Sequence, residues 1–297
     1  MTLLVGFRGG VDDRSGIELA ATLARSADQA LVVVTVVPSS WPTPVAGAAD
    51  RDFARWATEQ GAAAAEEAAE VIAGICPELE ATTRWISAKS VANGLLGLVE
   101  ETGASMIVIG SGTDVGHGQI NIGSTTSRLL HTSPIPVAVA TRGLQHSESG
   151  RVARVTCAFR DDASSRTTLE RTAAICVDTG AALRVATFAV RGRTMYPAAV
   201  GGAAAEEQVL QAWLEQAGGA QAEALAALEA SGVHPVEVTT AVGSGRSWVT
   251  ALDSIGWERD DVFVVGSSRE TRFERLFLGS SGTKIVRHSP VPVIVVP

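Results

Sequence analysis

The chain has 297 residues, of which 46% are hydrophobic and 19% charged, with a net charge of −8. That length fits one large or two ordinary domains, and the composition supports a sizeable core and excludes a disordered chain. The acidic balance excludes sequence-independent nucleic-acid binding, and no run approaches the roughly 20 apolar residues of a membrane helix, so no membrane insertion is expected.

The chain begins on a short apolar run, residues 3–7 (LLVGF), which predicts a buried strand. No basic n-region or apolar h-region is visible, so no signal peptide is expected, and the expected location is cytoplasmic. Cys76, Cys157 and Cys176 are scattered without CxxC spacing and read as reduced thiols. Residues 17–24 have helical apolar spacing. Residues 31–37 (LVVVTVV) predict a second strand, of the continuous kind that suits a parallel sheet covered on both faces. After a loop at 38–44, the Ala/Glu-rich stretch 53–75 predicts a long helix. A strand at 81–86, a helix at 91–101, and strands at 106–109 and 136–140 complete the first half. Residues 141–150 are polar, contain two glycines, and read as a linker.

The second half repeats this order: strand 155–159, helix 166–176, strand 183–190, helix 206–231, strand 235–242, helix 247–255 and strand 261–265. Strands alternating with long helices mean βαβ units, so each half is expected to be a five-stranded, doubly wound α/β domain with a parallel sheet. Residues 188–202, with Arg191, Arg193, Met195 and Tyr196, read as a lid or a surface loop.

The two halves end alike. Residues 109–140 read IGSGTDVGHGQINIGSTTSRLLHTSPIPVAVA, and residues 265–297 read VGSSRETRFERLFLGSSGTKIVRHSPVPVIVVP. Gly110 and Gly266, Gly123 and Gly279, and Pro134 and Pro290 each stand 156 residues apart, which marks an internal duplication. A strand, a glycine turn and a helix N-terminus together form a phosphate-holding arrangement.

On these residues the chain resembles the universal stress protein family in its tandem two-domain form, with domains at 1–142 and 152–297. The family motif is a glycine, two residues, a second glycine, nine residues, then Gly-Ser or Gly-Thr. The copies here are Gly110, Ser111, Gly112, Thr113, nine residues, Gly123-Ser124, and Gly266, Ser267, Ser268, Arg269, nine residues, Gly279-Ser280. The resemblance implies an adenine nucleotide alpha hydrolase-like fold with strand order 3-2-1-4-5. It places ligand at the carboxyl ends of strands one and four, in agreement with the switch-point rule. It implies a stress-response regulator or sensor that binds adenine nucleotide, ATP with or without Mg2+. The implied binding residues are Arg8, Gly110, Gly112, Thr113, Gly123, Ser124 and Thr125 in one copy, and Arg160, Gly266, Arg269, Gly279, Ser280 and Ser281 in the other.

Two features depart from the family. Thr113 and Arg269 stand where the second motif glycine belongs, and that glycine lets backbone approach a phosphate. Arg8 and Arg160 stand where nucleotide-binding members carry an Asp at the end of the first strand. An arginine accepts no hydrogen bond from a nucleoside but can meet an anion. Asp12, Asp13, Asp161 and Asp162 lie just beyond and are candidates to substitute. Arg269, Arg272, Arg275 and Lys284 surround the second loop, where they either neutralise phosphates or form a solvated face balanced by Glu270 and Glu274.

No nucleophile, base and orienter come together in the sequence, so no catalytic residue is expected and at most slow ATP hydrolysis. His131 aligns with Arg287 rather than His288, and neither histidine has a ligand partner at helical spacing, so no metal site is expected. Family members use the last strand of the sheet for dimer-like contact. The resemblance therefore implies an intrachain pseudo-dimer, with homodimerisation as an addition. The alternative function is a non-nucleotide interaction module with a degenerate cleft, regulating an unknown protein partner such as a membrane transporter.

Overall fold

The apolar runs become parallel strands because both of their faces are covered. Leu4, Val5, Val33, Val34, Ile107 and Val108 are buried in the first half, and Val155, Leu183, Val185, Val262, Phe263 and Val264 in the second. This accounts for continuous rather than alternating hydrophobicity. The structure is a computed structural model that describes all residues except 12, 41–46, 113, 146–148, 192–201 and 271–274, with the backbone alone at 202–206, 268–270 and 275–277.

The chain divides into two compact units: Met1–Arg151 with Arg269–Leu276 and Pro297, and Val152–Ser268 with Phe277–Val296. The first contains β1 (Thr2–Phe7), α1 (Ser15–Ala27), β2 (Ala30–Pro38), α2 (Ala48–Ile75), β3 (Ala81–Ala88), α3 (Val91–Thr102), β4 (Ala104–Ile109), α4 (Ser124–Thr132) and β5 (Val137–Val139). Its strands run parallel in the order β3-β2-β1-β4-β5. The second half of the chain contains β6 (Arg154–Ala158), α5 (Ala163–Thr179), β7 (Ala182–Val190), α6 (Gly202–Ala230), β8 (Val238–Gly245), α7 (Trp248–Asp253) and β9 (Asp261–Gly266). It continues with β10 (Ser268–Glu270), β11 (Arg275–Phe277), α8 (Gly279–His288) and β12 (Val293–Val296). Its main strands repeat the order as β8-β7-β6-β9-β12, again parallel. Each unit thus has the expected 3-2-1-4-5 order.

Helix starts follow their caps. Ser90 Oγ accepts from the Asn93 amide at 3.3 Å before α3, and Ser247 Oγ from the Thr250 amide at 3.3 Å before α7. α2 starts at Ala48, ahead of the expected residue 53, because the Asp50 carboxylate accepts from the Gly47 amide at 2.6 Å and closes an earlier turn. β8 runs Val238–Gly245 rather than 235–242. Pro235 has no amide to donate to a ladder, and Gly243 and Gly245 extend the strand under α7. A Cβ on Gly243 would lie 2.5 Å from the Ala251 carbonyl oxygen, so glycine there permits the close approach.

The second glycine stretch holds two short paired strands, β10 and β11, where a loop was expected. Residues 141–145, read as the start of a linker, are fastened to the first glycine loop. The Gly118 amide donates to the Arg142 carbonyl and the Arg142 amide to the Gln119 carbonyl, both at 2.9 Å. Irregular backbone requires such partners when solvent does not supply them. Most of the 188–202 segment read as a lid, residues 192–201, lies outside the described residues.

Candidate functional site

At the carboxyl ends of β1 and β4, where the strand order reverses, the first unit encloses a cavity of about 500 Å³. Its wall includes Arg8, Gly110, Gly112, Gly123, Ser124 and Thr125, so the structure brings these sequence-derived candidates together. Thr113 lies outside the described residues.

The glycine loop is held by side chains. Ser111 Oγ donates to the Ala140 carbonyl at 2.8 Å and accepts from the Asn121 amide at 3.2 Å, tying both limbs of the loop to the end of the sheet. The Arg142 guanidinium donates to the Val115 carbonyl. Helix α1 approaches the loop through Gly16, where a Cβ would lie 2.9 Å from the Gly110 nitrogen. Helix α4 then begins with Gly123 as an extended N-cap that offers no side-chain acceptor, and its first turn carries no acidic residue. Its leading amides therefore lack intrahelical partners, and the positive end of the helix is uncompensated beside the cavity.

The same cavity contains polar atoms with no protein partner. Thr35 is only 7% exposed, and its Oγ1 has no hydrogen bond. Asp13 Oδ1 accepts from the Ser15 amide at 3.1 Å, while Asp13 Oδ2 is buried and unpartnered. Buried polar atoms without partners cost about 1–3 kcal/mol each, so they require an explanation. Thr35 and Asp13 both line the cavity. Arg8 is exposed on its wall and makes no ion pair among the described residues.

The matching cavity of the second unit is about 240 Å³ and is lined by Arg160, Gly266, Gly279, Ser280 and Ser281. Larger side chains reduce it. Phe188 follows Thr187 where Val36 follows Thr35, and Trp248 follows the capping Ser247 where Val91 follows Ser90. Trp213 of α6 adds a third ring to the wall. The Phe188 and Trp248 rings lie 6.3 Å apart, and Phe188 and Phe263 5.8 Å apart. Thr168 stands against Gly266, where the first unit has Gly16 against Gly110.

The counterparts of Thr35 and Arg8 in this second cleft are already bonded. Thr187 Oγ1 donates to the Phe159 carbonyl at 3.1 Å and accepts from Gln221 at 2.9 Å. Arg160 is tied by its Nε to Asp162 Oδ2 at 2.6 Å. Asp162 also caps α5, accepting from the Ser165 amide at 2.9 Å and the Ser164 hydroxyl at 2.8 Å. Burial alone would raise the Asp162 carboxyl, but the Ser165 amide, Arg160 and Ser164 outweigh it and hold it down at about 2. The side chain of Arg269 lies outside what the structure describes.

Sequence reasoning missed Thr35 and the three aromatic rings. The single hydroxyl within LVVVTVV was the available signal for Thr35, since a lone polar residue in a buried run needs a reason. His131 Nδ1 lies 2.6 Å from the Ser127 carbonyl oxygen, and His117 packs on Gly143. Burial pushes the Cys157 and Cys176 thiols up to about 12, which makes them poor nucleophiles. Among the described residues no group of three or more His, Cys, Asp or Glu is placed to hold a metal, and no helix is long and apolar enough to cross a membrane.

The family model described as "Universal stress protein family" matches residues 1–141 and 152–297. Universal stress protein Rv2319c of Mycobacterium tuberculosis (strain ATCC 25618 / H37Rv) is 37% identical over 297 residues, covering 100% of both chains, and universal stress protein Mb2346c of Mycobacterium bovis gives the same values. Among solved structures, a universal stress protein from Archaeoglobus fulgidus DSM 4304 superposes with a TM-score of 0.60 at 16% identity, covering 99% of this chain and 97% of that one. The functionally unknown protein PA1789 from Pseudomonas aeruginosa PAO1 gives 0.56 at 14%, covering 99% and 92%. At those identities the two structures support the fold alone. The repeated family match and the full-length identity establish that this chain belongs to the universal stress protein family, in its tandem two-domain form.

Proposed function

We propose that this protein is a regulator that binds one adenine nucleotide per chain, in the first unit. The observation that carries this reading is the pair of unpartnered buried atoms, Thr35 Oγ1 and Asp13 Oδ2, in a cavity beside an uncapped helix N-terminus. The chemistry of the wall suits the ligand. Thr35 offers a hydroxyl to the base, Asp13 an acceptor to the ribose hydroxyls, and α4 and Arg8 meet phosphates. Asp13 thereby supplies the acceptor that Arg8 lacks. Mg2+ would arrive largely coordinated by the phosphates themselves, with Asp114 a second carboxylate among the described residues of the cavity wall.

The second unit then acts as a scaffold or partner-binding half, since aromatic side chains take up space in its cleft and its threonine is internally bonded. This retains part of the alternative reading, an interaction module whose partner is a protein. We assign no turnover beyond slow hydrolysis, because phosphoryl transfer needs an oriented water and a held metal. The three buried, unpaired cysteines suit action in the reducing cytoplasm.

Thermal melting of the full chain with ATP, with and without Mg2+, tests the reading. Ligand at about 100 times Kd adds about 2.7 kcal/mol to the unit that binds it. An unchanged melting curve at millimolar ATP would reject nucleotide binding.

A further inference from the structure

The helix that faces the first cavity also borders a second one. Ser124 and Thr125 line it and also line a second cavity of about 550 Å³. The remaining wall of that cavity is Ser90 and Ala92 of α3 with Ser127, Arg128, His131 and Thr132 of α4. We infer that this site takes an adenine nucleotide extended at its phosphate end by a second nucleoside, a dinucleoside polyphosphate. The inference rests on the proposed nucleotide reading of the first cavity.

Size supports it first. The first cavity alone falls within the range of about 300–1,000 Å³ expected of a complete small-molecule pocket. A second cavity of similar volume, sharing Ser124 and Thr125 with the first, is more than a mononucleotide fills. The direction follows from the helix. Ser124, Arg128 and His131 stand at i, i+4 and i+7 on one face of α4, a run of about 10 Å at 1.5 Å per residue. A chain of phosphates leaving the α4 N-terminus therefore meets the exposed Arg128 one turn further on.

The far end of the groove is built for something other than phosphate. Among the described residues Arg128 and His131 are the ionisable groups of its lining, and no carboxylate among them repels an anion there. Besides Arg128 the wall includes Ala92, Thr132 and His131. Nδ1 of His131 lies 2.6 Å from the Ser127 carbonyl and, donating to it, leaves Nε2 as an acceptor suited to a ribose hydroxyl. Ala92 is 1% exposed, a small side chain on the groove wall. In the second unit Val249 holds the same position, two residues after the capping Ser247. A bare polyphosphate would use Arg128 and leave the apolar and imidazole surface unused.

Competitive titration of the full chain with AMP, ATP, adenosine tetraphosphate and diadenosine tetraphosphate tests this. The dinucleotide should bind at least about tenfold tighter than ATP, and adenosine tetraphosphate within about threefold of it. Arg128→Ala and His131→Ala should each reduce the dinucleotide's advantage, with AMP affinity unchanged. A dinucleotide no tighter than ATP, an advantage that survives both variants, or an equal gain with adenosine tetraphosphate would overturn the inference while the nucleotide reading stands. Failure of AMP and ATP to bind at all would overturn the nucleotide reading and this inference with it.

Discussion

Gln221 donates its side-chain amide to Thr187 Oγ1 at 2.9 Å, whereas Thr35, at the same place in the first unit, keeps a buried hydroxyl without a partner. The equivalence follows from register. Thr35 pairs with Phe7 across β2 and β1, and Thr187 bonds the carbonyl of Phe159. The duplicated fold has thus closed one cleft from within and left hydrogen-bonding capacity in the other.

Replacing Thr35 by Val therefore removes an unsatisfied hydroxyl from the folded protein. Stability in urea should hold or rise slightly, while ATP affinity falls by about fivefold, the worth of one neutral hydrogen bond. Thr187→Val should behave oppositely, costing about 1–2 kcal/mol of stability through the lost bonds of its hydroxyl to Gln221 and to the Phe159 carbonyl, with ATP affinity unchanged.

The paired motif glycines differ in backbone. Gly279 has φ +67°, while Gly123 has φ −74° with open space around its Cβ position. An L-residue in the left-handed region costs about 1–2 kcal/mol. Chemical denaturation should show Gly279→Ala destabilised by that amount and Gly123→Ala close to wild type. Equal losses in both would mean that the two glycines do the same work.

Asp162 gives a pH signature. Its carboxyl sits at about 2 when folded, against about 3.9 in an unfolded chain. A depressed value contributes stability that is fully present above the unfolded pKa and lost as pH falls through the folded one. The melting difference between wild type and Asp162→Ala should be full at pH 7, shrink below about pH 4 and approach zero near pH 2. Asp162→Asn, which keeps a capping acceptor, should lose less at pH 7.

At the opposite end of the second sheet, Asp261 is 1% exposed and accepts from Arg154 at 2.6 Å, with Arg184 3.5 Å away. Arg184 is 5% exposed, bonds Thr156 Oγ1 at 3.0 Å and the Gly256 carbonyl at 2.7 Å, and stacks 4.6 Å from the Trp257 ring centroid. Removing one partner strands buried charge, so Asp261→Ala should cost about 3–5 kcal/mol in denaturant unfolding. A loss below about 1 kcal/mol would show that the cluster is solvated in solution.

Much of this architecture is written locally. Runs such as LVVVTVV, the Ser90 and Ser247 caps and the repeated Gly-Ser spacing each fix an element within a few residues, so strands, helices and the glycine loops were legible in order. The site was legible only where it is local. Arg8 and the Gly110–Ser124 loop could be placed on one cleft through the duplicated motif. The roles of Thr35, Gln221, Trp213 and Trp248 depend on which helix lies over which strand, and single residues do not carry that information. The same holds for Arg184 on β7 and Asp261 on β9, distant in sequence and brought together across the intervening β6. Residues 141–145 read as linker by composition because their bonds go to Gly118 and Gln119 of another loop.

The most direct measurement is calorimetric titration of ATP into the full chain and into Ser124→Glu and Ser280→Glu. A carboxylate in the first turn favours the helix dipole, so either change leaves the fold intact while repelling phosphate from that cleft. The account predicts one ATP per chain, an affinity at least about tenfold weaker in Ser124→Glu, and unchanged binding in Ser280→Glu. Two ATP per chain, or binding lost in Ser280→Glu and kept in Ser124→Glu, would contradict it.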